Sequence, residues 1–237
     1  MKTVVIVAAG LSSRLYPLTI NTPKSLLPLG KERILERNIR LLKENGFEQI
    51  IIVTGYLKEM IEKIVGPSVS TIYNPFYKYC NNMGSLYAVK HIVENNPFLY
   101  LHGDVVFSEK LFKQFISQSN GNNIIDLAVD FKETDEEAMK VRIDEEFNLI
   151  ESNKDIPLTD SAGEWIGLAA IHRPESVFDY IEAILVEEKL NVYDTFAFTE
   201  MANNGFMIKC HSINNEPWME IDFIEDYEKA KELFADE

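Results

Sequence analysis

Cysteine is scarce: Cys80 and Cys210 are the only two, far apart and without CxxC spacing. That excludes a zinc cluster or a disulfide framework and fits a reducing cytoplasm. Positive charge is also short. Lys and Arg total 23 against 38 Asp and Glu, for a formal net charge of -15. Such a surface is a poor partner for nucleic acid or an anionic membrane. No segment approaches the roughly 18 uninterrupted apolar residues of a membrane helix. The opening apolar run, Val4 to Ala9, is too short for a signal-peptide core, and Arg14 soon follows it. The chain is therefore expected to be soluble and cytoplasmic. The four histidines (His91, His102, His172, His211) share no metal-ligand spacing and are read as structural. No His/Asp pattern accompanies Ser12 and Ser13, so nucleophilic hydrolase chemistry has no support. No internal repeat or low-complexity linker occurs.

What remains is 237 residues with an ordinary 46% apolar fraction, enough for one well-buried domain over 1–237. "TVVIVA" (3–8) reads as a buried strand, and "RILERNIRLLKENG" as a helix with Ile34, Leu35, Ile39 and Leu42 inward. Strands follow at 49–55, 69–74 and 98–104, with helices at "LKEMIEKIVG" and "GSLYAVKHIVENN". This alternation predicts an α/β fold, a Rossmann-like doubly wound sheet covered on both faces. The second half predicts strands at 124–131, 139–143, "FNLIES" and 166–173, some antiparallel. Helices at 174–188 and 193–203 follow, then strands in "FMIKCHSI" and "WMEID" and a closing helix in "FIEDYEKAKELF". The sheet is thus mixed, with a small inserted β lobe at approximately 132–166. Ligands bind beyond the carboxyl ends of such strands, where the Gly10 loop, Gly55-Tyr56 and Gly103-Asp104 should converge.

Within residues 1–40, Lys2, Arg14, Lys24, Lys31, Arg33, Arg37 and Arg40 outnumber Glu32 and Glu36. This is either a solvated helix face or a local anion site. The stretch "IVAAGLSSRLYPLTINTPKSLLPLG" favours the second. A strand feeds a Gly-containing loop whose backbone N–H groups can cradle phosphate. The loop lacks the further glycines of a dinucleotide fingerprint and the Gly-Lys-Ser/Thr of a P-loop. Instead Arg14 follows two serines, and Pro17, Thr19 and Pro23 stiffen the approach to Lys24.

In order, these residues resemble the signature A-A-G-x-G/S-x-R-x-x-P-x-T, then P-K, of sugar-phosphate and choline-phosphate nucleotidyltransferases. The match lies at Ala8, Ala9, Gly10, Arg14, Pro17, Thr19, Pro23 and Lys24, with Ser12 where glycine is more usual. "IIIVTGY", "NNMGSLYAV", "GD" at 103–104 and "MEIDFIEDY" extend the resemblance along the chain. It is nearest to the bacterial choline-phosphate cytidylyltransferase-like enzymes of the MobA-like superfamily, which share a glycosyltransferase-A-like fold. The resemblance implies transfer of CMP from CTP to a small phosphorylated or phosphonate headgroup, with release of pyrophosphate and with Mg²⁺ as cofactor. Arg14 would grip the β- and γ-phosphates, and Lys24 would sit between the α-phosphate and the acceptor. Ala8, Ala9, Gly10, Ser12, Ser13, Gly55, Tyr56, Asn82, Ser85 and Gly103 would bind the nucleotide. Asp104 and Asp222 would hold the metal. Asp222 has a second reading, as a helix N-cap paired with Glu225.

The resemblance favours cytosine, although Asn82 and Ser85 can each donate or accept. Lys140, Lys154, Glu164, Tyr193 and Asp194 are acceptor-side candidates, against the alternative of exposed charge. "DEEAMKVRI" supplies no tryptophan for the aromatic cage that a quaternary ammonium needs. The expected acceptor is therefore an aminoalkyl phosphonate or a phosphorylated amino-acid amide ahead of phosphocholine. The alternatives are a sugar-1-phosphate uridylyl- or thymidylyltransferase and a non-catalytic nucleotide-sensing module. The expected assembly is a monomer or homodimer.

Overall fold

The computed structural model describes residues 1–235. Its first half is built from β1 (Thr3–Ala8), the short hairpin β2 (Pro28–Leu29) and β3 (Glu32–Arg33), α1 (Ile34–Glu44), β4 (Gln49–Thr54), α2 (Lys58–Val65), β5 (Ser70–Tyr73), α3 (Asn82–Tyr87), α4 (Lys90–Val93) and β6 (Phe98–His102). The β-branched runs of β1 and β4 are buried on both sides, as parallel strands under helices must be. After β7 (Val105–Phe107) and α5 (Glu109–Gln118) come β8 (Ile125–Asp130), β9 (Lys140–Ile143), β10 (Leu149–Asn153) and β11 (Gly163–Ile171). The chain closes with α6 (Pro174–Val186), α7 (Asp194–Asn203), β12 (Ile208–Ser212), β13 (Trp218–Glu220) and α8 (Ile224–Leu233). No helix among the described residues is long and apolar enough to cross a membrane.

Among the described residues, one mixed sheet of nine strands runs β10-β9-β11-β6-β1-β4-β5, with β8 branching off β11 and β12 pairing with β8. β6, β1, β4 and β5 are parallel, whereas β11 is antiparallel to β6, β8 and β9. The expected lobe is a continuation of this sheet: the β9–β10 hairpin joins it through Gly163 and Glu164 of β11. β11 shifts register between Trp165 and Ala169, around Gly167 at φ 77°. That bulge bends the strand and re-aims its side chains.

Two apolar layers flank the sheet, one beneath α3, α6 and α7, the other beneath α1 and α5. A third, smaller cluster joins Leu15, Leu27, Leu29 and Ile34 to Val106, Ile221, Tyr227 and Phe234. It pins the signature loop between β7 and α8. In the same region β13 pairs antiparallel to β7, with Glu220 opposite Val105 and Ile221 N–H donating to the Asp104 carbonyl at 3.1 Å. This pairing brings the 104 and 222 regions together.

Three details differ from the sequence reading. The helix expected in "GSLYAVKHIVENN" is two short helices, because Val89 stays in the core and its N–H turns back to Leu86, three residues earlier. β7 and α5 were not anticipated. α5 nevertheless carries a start signal, with Ser108 Oγ accepting from Leu111 N–H at 3.2 Å ahead of buried Leu111, Phe112 and Phe115.

Candidate active site

A cleft of about 320 Å³ opens beyond the carboxyl ends of β1 and β6. Backbone bonds hold its floor together: Gly103 N–H to the Val7 carbonyl at 2.8 Å and Tyr56 N–H to the Ala9 carbonyl at 3.1 Å. A Cβ on Gly103 would lie 2.8 Å from both Ala8 Cβ and the Val7 oxygen, so glycine is required there. In the signature loop Thr19 Oγ1 donates to the Ser12 carbonyl at 2.7 Å, and Ser12 takes a left-handed φ of 53°. Pro23 then leads into the turn that presents Lys24.

Lys24 Nζ lies 2.7 Å from Asp104 Oδ2 and 2.8 Å from Asp222 Oδ1. Burial works against its charge, but Asp104, Asp222 and Glu220 outweigh this and push its pKa above the ordinary lysine value. Asp222 also accepts from Arg14 Nη1 at 3.1 Å. Burial would raise its pKa, yet Lys24 and Arg14 hold it below the usual carboxylate range. Arg14 reaches Glu137 as well, at 3.3 Å, and Lys154 Nζ approaches the same Glu137 oxygen at 3.5 Å. Glu220, enclosed beside Asp104 and Asp222, is pushed up to about 8 by burial and by those neighbouring carboxylates.

The donor set suits a hard divalent cation. Asp104 Oδ1 is buried and lacks a hydrogen-bond partner among the described residues. His102, Asp104 and Glu220 each offer an atom within 4.8 Å of the others. His102 Nε2 is engaged by Asp194 at 2.9 Å, and Asp104 and Glu220 supply the oxygen donors.

Most of the expected residues line this cleft: Ala8, Ala9, Gly10, Ser12, Ser13, Arg14, Lys24, Asn82, Gly103, Asp104, Lys154, Tyr193 and Asp222. Others do not, each for a physical reason. Gly55 lies against Ala9 and Tyr77, and the Tyr56 hydroxyl donates to the Ile20 carbonyl, so this turn braces the loop from behind. Ser85 is buried and accepts from Asn74 Nδ2 at 3.0 Å. Lys140 is fully buried, its ammonium donating to the carbonyls of Lys154 (2.6 Å) and Glu136 (3.3 Å). It supports the Lys154 backbone and cannot meet an acceptor. Glu164 sits with Lys132 at 3.9 Å, away from the cleft. Burial, with Asp135 and Asp130 nearby, pushes it up to about 7 despite that lysine. Asp194 is fully buried and accepts from Tyr100 Oη at 2.6 Å, His102 Nε2 at 2.9 Å and Thr195 N–H at 2.9 Å.

The capping reading of Asp222 is corrected. Asp226 caps α8, accepting from Phe223 N–H at 2.8 Å and Asp222 N–H at 3.2 Å. The Asp222 carboxylate is thereby free to face Lys24 and Arg14. His102, read from sequence as structural, borders the cleft. Burial opposes its charge, but Asp194, Asp104 and Glu220 raise its pKa to about 9. Trp165, beside the β11 bulge, borders the cleft with its side chain almost wholly buried. Glu220 is a further cleft residue, brought in at the end of β13 beside Asp222. Most of the basic excess in residues 33–40 belongs to α1, where Arg33 pairs with Glu36 and Arg40 with Glu32.

Known proteins similar to this chain include two cytidylyltransferases. The choline-phosphate cytidylyltransferase of Streptococcus pneumoniae is 36% identical over 116 residues, 48% of this chain and 50% of that protein. The 2-aminoethylphosphonate cytidylyltransferase of Lancefieldella rimae is 35% identical over 108 residues, covering 45% and 44%. The matches thus span about half the length of these curated relatives. A solved structure of the CTP:phosphocholine cytidylyltransferase from Streptococcus pneumoniae aligns with TM-score 0.80 over 98% of this chain and 99% of that one, at 25% identity. The MobA-like NTP transferase domain matches residues 4–190, and the chain belongs to that family.

Proposed function

We propose that the protein transfers a cytidylyl group from CTP to a small phosphorylated or phosphonate headgroup and releases pyrophosphate. The observation that carries this reading is one cleft in which Lys24 lies between Asp104 and Asp222 while Arg14 and Lys154 flank them. An acceptor oxygen attacks the α-phosphorus in line, a new P–O–P bond forms, and the bond to the β-phosphate breaks as pyrophosphate leaves with the electron pair. The attacking oxygen is already anionic at neutral pH, so no general base is needed. The task is to bring anions together and offset the charge that builds on the α-phosphate.

Arg14 presents a planar fork to the β- and γ-phosphates. Lys24, on its proline-stiffened turn, offsets the repulsion between α-phosphate and acceptor. Lys154 takes the acceptor-phosphate role once expected of Lys140. Backbone N–H groups of the Gly10 loop meet phosphate oxygens, and Asn82 faces the base. Asp104, Asp222 and the adjacent Glu220 would hold Mg²⁺, which when bound draws charge from phosphate oxygens. The headgroup candidates stay 2-aminoethylphosphonate and phosphorylated amino-acid amides ahead of phosphocholine: Trp165 borders the cleft but is only 2% exposed, which leaves little aromatic surface for a quaternary ammonium.

The test is pyrophosphate release with CTP and Mg²⁺, first alone and then with each of these acceptors and glucose 1-phosphate. Acceptor-dependent release with a headgroup is expected. Nucleotide binding without release for any acceptor would replace this reading with a sensing module.

A further inference from the structure

The cleft contains an imidazole seated in a socket built from four separate elements. His102, at the end of β6, has its ring edge-on to Trp165 of β11 at 4.9 Å and to Tyr100 at 5.4 Å between centroids. A Cβ on Gly167 would stand 2.9 Å from its Nδ1, so the bulge leaves room for the ring and nothing more. Its Nε2 faces Asp194, the first residue of α7, at 2.9 Å. It also faces Asn82 Nδ2, at the start of α3, at 3.3 Å.

Asp194 already accepts from the Tyr100 hydroxyl and the Thr195 N–H, so it acts toward His102 as an acceptor and the Nε2 proton must point at it. That holds whether or not Nδ1 carries a second proton. With Nε2 a donor, the 3.3 Å contact to an amide NH₂ opposes donor to donor. An amide's O and N are distinguished only by their network. Turning the Asn82 amide over removes the conflict: Oδ1 then shares the His102 proton with Asp194, and the NH₂ group turns away from His102 on the cleft side that Asn82 lines.

Resting on the nucleotide role given to Asn82 above, we infer that His102 is a positioning residue that locks the Asn82 amide so that it offers a donor to the base. The edges of the pyrimidines differ in this respect. Both bases accept at O2, but at N3 cytosine accepts where uracil donates. A fixed NH₂ group directed at N3 therefore favours cytosine, while a freely turning amide serves either base. This supplies the discrimination that the residue types Asn and Ser could not, and Ser85 is turned away toward Asn74.

The experiment measures the dissociation constants of CTP and UTP side by side for the whole protein and for His102→Leu, His102→Gln and Asn82→Asp. Wild type should prefer CTP. His102→Leu should cut the CTP-to-UTP preference about tenfold, the scale of one misdirected hydrogen bond. His102→Gln, whose amide N–H falls near the imidazole Nε2, should restore most of it. Asn82→Asp, acceptor-only, should shift the preference toward UTP. Equal binding of the two nucleotides by wild type overturns the inference. So does a His102→Leu protein that weakens both nucleotides alike, as a merely structural histidine would. If His102→Leu does not fold, an unchanged preference in Asn82→Asp overturns it equally. A CTP preference that follows these variants, without pyrophosphate release for any acceptor, supports the inference while refuting the transferase reading.

Discussion

The wall formed by residues 8–25 and the wall formed by Met139, Lys154, Trp165 and Tyr193 face each other across one cleft, yet their side chains arrive by different routes. The first wall is a single loop leaving one parallel strand. Its spacing is local, its stiffness comes from Thr19 and Pro23, and its charges sit in chain order. The second wall is assembled from the β9–β10 hairpin, a bulge in β11 and the approach to α7. Which of its residues face inward depends on register and bulging. Charge on a local loop can therefore be assigned from sequence, whereas charge on a bulged strand cannot.

The sharpest way to strain this comparison is at the point where the walls meet the carboxylates. Asp222→Asn should lower metal-dependent turnover by about a hundredfold or more, with the melting temperature nearly unchanged. Asp226→Ala should do the reverse, costing about 1 kcal/mol of stability by loss of the α8 cap while turnover persists. Steady-state rates and thermal melts on the pair check this. If Asp222→Asn only lowers the melting temperature, the two carboxylates have been given the wrong roles.

Two lysines of the second wall give the next effect. Lys154→Met should raise the acceptor KM about tenfold by removing a charged donor to the phosphate. Lys140→Met should instead destabilise the fold, by about 1–3 kcal/mol, through two carbonyls left without their donor. Denaturant melts and acceptor titrations separate them.

These lysines also show how far the sequence was legible. The strand-helix alternation and the loop motif are legible, because each depends on periodicity or on adjacent residues; that Asp104 and Asp222 share one cleft is implied only by the family resemblance, since the two lie far apart in sequence. The burial of Lys140 is not legible because a lysine is ordinarily exposed, and the pairing of β9 with both β10 and β11 encloses it. The placement of Trp165 at the cleft is not legible, because nothing local marks the bulge beyond Gly167. The contacts of His102 are not legible either, because Asp194 and Asn82 are distant from it in sequence.

A smaller effect concerns pH. Glu164 is pushed up to about 7 in the folded protein from 4.5. The folded state therefore binds more protons than the unfolded chain between those values, and stability should fall as pH rises through that window and stay lost above it. Glu164→Gln should flatten this slope in urea melts between pH 4.5 and 8; an unaltered slope would remove Glu164 from the account. Smallest of all, Glu137→Gln should tighten CTP binding two- to threefold, since the Arg14 and Lys154 pairs it forms are solvent-screened. Calorimetric titration measures this, and weaker binding would mean that Glu137 supports Arg14 instead of competing for it.

Everything rests on Lys24 acting when phosphates approach each other, beyond merely holding a nucleotide. The direct test measures Lys24→Met twice, by CTP binding and by acceptor-dependent pyrophosphate release. The account predicts a CTP dissociation constant within a few-fold of wild type and turnover reduced about a thousandfold. Binding and turnover that decline together by the same factor would contradict it.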